Sequence, residues 1–170
     1  MEHATHIQEN KLRKFLPITI IFSLIIIFTA FTTYLHGFSL EFAMRMMMGS
    51  FFGIFGAFKV FNLNAFAEAY STYDILAMRS RAYALTYPFI EILLAVLYLT
   101  NSGGIYRDIF ALIIMLVSSV GVIIKLNQKE EVPCACLGMV FKVPMTWVTL
   151  TEDLLMAVEA MVMIILFINH

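Results

Sequence analysis

The chain has only two cysteines, Cys134 and Cys136, one residue apart in the stretch EEVPCACLGMVFKVP at 130–144. A C-x-C spacing is neither the C-x-x-C of thioredoxin-like redox sites nor one of the paired cysteine sets of zinc sites. Two thiols do not complete the four ligands of a structural Zn²⁺, and no histidine stands near them. Three readings remain. The first is thiol–disulfide exchange. The ring closed by such a pair is very small, and strained bridges are the labile, oxidising ones. Lys129 and Lys142 would raise the thiolate fraction. The second is capture of Cu(I) or Hg(II) between two thiolates. The third is that the cysteines are two small loop residues without chemistry. Their placement together between Pro133 and Gly138 argues against that.

Ionisable residues inside apolar stretches form the second group. Arg45, Glu91 and Glu159 each fall within a run of hydrocarbon side chains. A charge at bilayer depth costs roughly 2.5–3.5 kcal/mol on insertion scales, so such residues face the bundle interior and find partners. Arg45 and Glu159 come within reach of one another in depth, which allows either a buried ion pair that fixes helix register or a proton, ion or substrate site. Asp153, Met156, Glu159 and Met163 follow one helical face. Glu152 and Asp153 also lie in the first turn of their helix, where acids complement the helix dipole. Methionine is frequent, with 12 in the chain, and Met44, Met46, Met47 and Met48 crowd together. Thioethers fill irregular gaps and are also soft ligands for Cu(I). On the metal reading, Met44, Met47, Met48, Met156 and Met163 are stepping ligands toward Cys134 and Cys136.

The elements that position these residues are hydrophobic helices. Of the 170 residues, 61% are hydrophobic, against about 45–50% in soluble domains, and the mean hydropathy is +0.88. Five runs, at 17–36, 41–62, 83–100, 106–125 and 147–168, approach or exceed the roughly 20 helical residues that cross a bilayer core. The expectation is an all-α polytopic membrane bundle, with a polar tail over 1–16 and one membrane domain over 17–170. The first run is too long for a cleaved signal peptide and reads as a retained anchor. His3 in the tail has the placement of a Cu(II) or Ni(II) chelator, although tail histidines are more often inert. Residues 63–81 are too polar to span. Phe66, Tyr70, Tyr73 and Ala77 recur at helical spacing there, which predicts an amphipathic interfacial segment. A loop over 126–146 carries the cysteines. The net charge of −1 gives no support to nucleic-acid binding; the expected partner is the lipid bilayer. Gly49, Gly53 and Ala57 make a smooth stripe that lets helices approach closely, either within the monomer or in a homodimer through Gly49 and Gly53.

Lysine and arginine set the orientation, since they are held on the cytoplasmic side. With the N-terminus inside, Lys11, Arg13, Lys14, Lys59, Arg79, Arg81, Lys125, Lys129 and Lys142 fall on the inner side. Only Arg45 and Arg107 lie toward the outer face. The cysteine loop is then cytoplasmic, at the inner (cytoplasmic) membrane of a bacterium, where thiols are mostly reduced.

The stretches MRMMMGSFFGIFGAFKVFNLNAFAEAYSTYDIL and YPFIEILLAVLYL, with the later CACLG and TLTEDLLMA, resemble the DoxX/MauE-like family of small bacterial membrane proteins, over about Arg45 to Met163. The family's Arg, spaced Gly and Lys fall on Arg45, Gly49, Gly56 and Lys59. Its Pro-x-x-Glu falls on Pro88 and Glu91. Its C-x-C-[FL]-G falls on Cys134, Cys136, Leu137 and Gly138. The resemblance implies a compact bundle around a four-helix core and a redox-associated role in the maturation of a partner thiol protein. The expected intramembrane polar site is Arg45, Lys59 and Glu91, which fall on the family pattern, with Glu159 added as a charge within its span. The chain departs from the resemblance in its extra N-terminal span and in a charge pattern that places the thiols inside. Two cysteines alone do not relay electrons across a membrane. The redox role therefore calls for a partner or a quinone, whereas the metal role calls for Cu(I) or Hg(II) and a soluble metal carrier.

Overall fold

The computed structural model describes residues 2–128, 135, 137 and 147–169, with side chains described over 16–128, 135, 137 and 150–169. Six helices account for most of them: α1 (Glu2–Leu35), α2 (Leu40–Phe61), α3 (Leu63–Tyr70), α4 (Arg81–Leu99), α5 (Gly104–Gln128) and α6 (Trp147–Asn169). No strand occurs among the described residues. The protein is an all-α, multi-pass membrane bundle. Four stretches, Leu16–Leu35, Leu40–Phe61, Arg81–Leu99 and Gly104–Gln128, are long and apolar enough to cross a membrane. The helix of α1 runs back through the polar tail to Glu2.

The register of side-chain contacts shows how the helices run. Gly49 lies against Tyr98 and Leu99, Gly53 against Ala95, and Gly56 against Glu91 and Ile92. As α2 advances α4 recedes, so the two are antiparallel. In the same way Ser118 meets Asp153 and Gly104 lies against the Phe167 ring, which makes α5 and α6 antiparallel along nearly their whole length. α6 carries three acids, Glu152, Asp153 and Glu159, yet it keeps pace with α5 from end to end. α1 adds to this core from outside through Ile18, Ile21, Phe22 and Ile25. Thr29 and Thr33 of α1 are buried as well, whereas Leu16, Ile20, Leu24, Ile27 and Phe31 are exposed. An apolar outer face on a buried core is what a helix facing lipid presents.

The glycine stripe of α2 is therefore used inside the monomer. A Cβ at Gly56 would stand 3.2 Å from the Pro88 carbonyl oxygen, and one at Gly49 would stand 2.8 Å from the Leu99 side chain. The surface considered for a homodimer through Gly49 and Gly53 is covered by α4 of the same chain. The turn between α4 and α5 needs left-handed backbone at Asn101 (φ 54°), Gly103 (φ 83°) and Gly104 (φ 49°). Glycine and asparagine are the residues that adopt it without a large penalty. Arg107 closes this end: its Nη1 donates to the Leu97 and Ser102 carbonyls, its Nε donates to Asp108 at 3.0 Å, and its guanidinium lies 4.3 Å from the centre of the Tyr98 ring.

Residues 63–80 are helical only to Tyr70 and then turn. Asp74, fully buried, accepts hydrogen bonds from the Leu76 and Ala77 backbone N–H groups and from the Tyr70 hydroxyl. A side chain that caps the next turn competes with helix continuation. The face predicted from spacing is real: Phe66, Tyr70, Tyr73 and Ala77 are all buried. The segment folds inward against α4 and over Gly121 of α5, where the Tyr73 backbone passes so close that a side chain has no room.

Candidate functional site

The inward fold of 63–80 closes one end of the bundle over a pocket. Lys59, in the last turn of α2, pairs with Glu91 of α4, and both side chains are buried. Glu91 stands about 15 Å along α4 from its start, at 1.5 Å per residue. The Lys59 ammonium also lies over two aromatic faces, 5.1 Å from the Tyr87 ring centre and 5.6 Å from that of Phe66. Cation–π contacts of this kind help offset the desolvation of a buried cation. Tyr70 stacks on Phe66 at 5.1 Å and packs on Tyr87 at 4.7 Å, which holds the cage shut.

A cavity of about 30 Å³ lies beside the pair, reached by Tyr70, Tyr73, Ser118, Glu152 and Asp153 as well as Lys59 and Glu91. The Ser118 hydroxyl donates to the Asp153 carboxylate at 3.1 Å. One lysine thus faces three carboxylates. One of them keeps an open valence, because Glu91 Oε2 has no hydrogen-bond partner among the described residues. Space of this size suits one or two waters, which need roughly 10–15 Å³ each. It is far below the roughly 300–1,000 Å³ of small-molecule sites, so a quinone ring does not fit there.

Two tyrosines outside the spans line this cavity as neutral phenols. Burial pushes Tyr70 well above the usual phenol range, with Tyr87 and the Asp74 carboxylate adding to the effect. Burial raises Tyr73 as well, helped by Asp153 and opposed by a hydrogen bond from the Ala135 backbone. That bond ties the pocket to the cysteine loop. Cys134 and Cys136 themselves lie outside the described residues, as do Lys129 and Lys142. Ala135, between the cysteines, and Leu137, after them, are both buried in the core.

Of the four residues expected to form the intramembrane site, the structure joins two, Lys59 and Glu91. Arg45 and Glu159 are turned inward, but no ion pair links them to each other or to that pair among the described residues. Arg45 lies over the Phe42 ring at 5.5 Å, with Nε and Nη1 unpartnered, and Glu159 Oε2 is likewise buried and unpartnered. Met44, Met48, Met156 and Met163 are buried core residues and Met47 packs against them. No group of three or more His, Cys, Asp or Glu side chains able to hold a metal occurs among the described residues. The sequence did not single out Asp74, Ser118 or Tyr87. The spacing of Phe66, Tyr70 and Tyr73 was the signal for a buried aromatic face.

No curated protein and no solved structure matches the chain. Residues 38–168, which span α2 to α6, the cysteine stretch and both halves of the Lys59–Glu91 pair, match the family described as methylamine utilisation protein MauE. The chain belongs to the MauE family of methylamine-utilisation-associated, multi-pass membrane proteins.

Proposed function

We propose that this MauE-family protein supports the maturation of a partner protein by thiol–disulfide exchange through Cys134 and Cys136. The observation that carries the reading is the position of Ala135. The residue between the two cysteines is buried and bonded to Tyr73, and Tyr73 lines the cavity that holds Lys59, Glu91 and Asp153. Chain connectivity keeps both thiols tethered to that point. In the exchange, one thiolate attacks a sulfur of the partner's disulfide, or a partner thiolate attacks the C-x-C disulfide. One S–S bond breaks as another forms, the leaving sulfur takes a proton, and a second exchange resolves the mixed disulfide. A lysine ammonium favours the thiolate of a thiol that approaches it, and the carboxylates and waters of the cavity hold and pass protons. In this reading the protein sits in the inner (cytoplasmic) membrane of a bacterium with its N-terminus and cysteine loop on the cytoplasmic side, and α6 supplies a fifth crossing. The test is the oxidation state of the partner in cells carrying Cys134→Ser, Cys136→Ser or both. Each change abolishes partner maturation if the reading holds, and unchanged maturation in the double variant overturns it. Soft-metal handling predicts something different: reduced protein that binds about one Cu(I) or Hg(II) through the same two residues.

A further inference from the structure

The segment that closes the Lys59–Glu91 cavity also has an outer face. Phe66, Tyr70 and Tyr73 line the cavity. The opposite face of the same segment borders a separate groove of about 380 Å³. Ala67 and Ala77, both buried, line its floor, and their small side chains leave it room. Glu68 and Ser71 line one side, and Met78, Arg79 and Arg81 line the other. Both arginines are exposed, and neither makes an ion pair among the described residues. Two arginines against one glutamate leave the groove positive, and no acid stands in the first turn of α4 to offset them.

We propose that this groove is a docking site for the headgroup of an anionic phospholipid, with the phosphate between Arg79 and Arg81, and that the bound lipid holds residues 63–80 closed over the cavity. Depth, charge and hydrocarbon each favour this occupant. The span in α2 ends at Phe61 and the span in α4 begins at Arg81. Residues 62–80 therefore join two crossings on one side of the membrane, at the depth of the phospholipid phosphates. Basic side chains at that depth attract anionic headgroups, and the guanidinium fork matches the geometry of a phosphate. Hydrocarbon is interleaved with the charge: Leu76 and Met78 are exposed on the turn that carries Arg79. Apolar side chains beside basic ones are stable at an interface, where acyl chains cover them. A free phosphate ion meets only the arginines, whereas a phospholipid meets both kinds of side chain. The lid role follows from the groove's two sides. Glu68 belongs to α3 and Arg81 to α4, so a headgroup seated between them ties the segment to the helix that carries Glu91. The site involves neither cysteine.

The test uses the full-length protein, delipidated in a neutral detergent and titrated with phosphatidylglycerol or phosphatidylcholine of equal chain length. Bound lipid is counted by native mass spectrometry. The site predicts one phosphatidylglycerol held about tenfold or more tightly than phosphatidylcholine. Each arginine near the surface is worth about fivefold, so Arg79→Gln combined with Arg81→Gln should weaken phosphatidylglycerol about tenfold or more and leave phosphatidylcholine unchanged. Glu68→Gln removes the acid that lines the groove and should tighten phosphatidylglycerol about threefold, a readout that remains should the double arginine variant not fold. In phosphatidylcholine vesicles, admixed phosphatidylglycerol should slow amide exchange over 63–80 about threefold in the native protein and not in the double variant. Equal affinity for the two lipids, affinity unchanged in these variants, or displacement of the lipid by millimolar inorganic phosphate overturns the site. Selective binding with unchanged exchange over 63–80 overturns the lid role.

Discussion

Lys59 and Glu91 meet inside the bundle from opposite chain directions, one at the end of α2 and the other in the body of α4, beneath the rings of Phe66 and Tyr87. The contact fixes the register of the two helices that pack most closely, and it places a charge pair where the protein interior is most polar. Removing one partner leaves the other charge buried and alone, which typically costs about 3–5 kcal/mol, whereas replacing both by apolar groups is often near neutral. Lys59→Met and Glu91→Leu should each lower the unfolding midpoint in detergent markedly, and the double variant should recover most of the loss. Equal and additive losses would mean that the pair is not coupled.

Small residues along α2 and α5 give a second, graded prediction. A Cβ at Gly53 meets only ordinary contact, 3.5 Å from Ala95. At Gly49 it meets the flexible end of Leu99, at Gly56 it meets the Pro88 carbonyl, and at Gly121 it runs into the Tyr73 backbone. Alanine should therefore be tolerated at 53, mildly harmful at 49, and harmful by about 1–3 kcal/mol at 56 and 121, the range of overpacked cores. Thermal unfolding of the four variants checks the order.

The spans and the inward charges were legible in the sequence because hydropathy and the cost of lipid-facing charge act on each helix separately. Four of the five runs lie within three residues of the observed helix ends, and the first ends within one residue of α1 but starts fifteen residues after it, because the α1 helix continues back through the polar tail to Glu2. Partner choice was not legible. Depth alone made Arg45 and Glu159 neighbours, but pairing also depends on which way each residue faces around its helix, and that is set by packing among α2, α4 and α6. Lys59 read as a charge at the inner end of its span. It is buried because residues 63–80 fold back over it, and the device that bends that segment is Asp74, whose carboxylate caps the turn after Tyr70. One aspartate in a polar stretch carries no such message without the fold around it.

Tyr73 links the cavity to the residue between the cysteines. Tyr73→Phe removes one hydrogen bond, worth about 0.5–1.5 kcal/mol, and keeps the ring. Stability should fall by no more than that. Cysteine-dependent partner maturation should fall several-fold because the loop loses its tie to the pocket. Full maturation in a folded Tyr73→Phe protein would separate the pocket from the thiols.

The proposed orientation rests on the distribution of lysine and arginine. An impermeant maleimide added to intact cells should leave Cys134 and Cys136 unmodified until the membrane is opened. Labelling from outside would reverse the orientation and place the pair in the oxidising compartment.

The account stands most directly on the two cysteines, and trapping their covalent intermediate tests it. With Cys134→Ser or Cys136→Ser the resolving thiol is gone, so one single variant should accumulate a mixed disulfide with the partner that reductant releases. The double variant should form none and should leave the partner immature. A partner that matures normally in the double serine variant, with no trapped adduct in either single variant, contradicts the account.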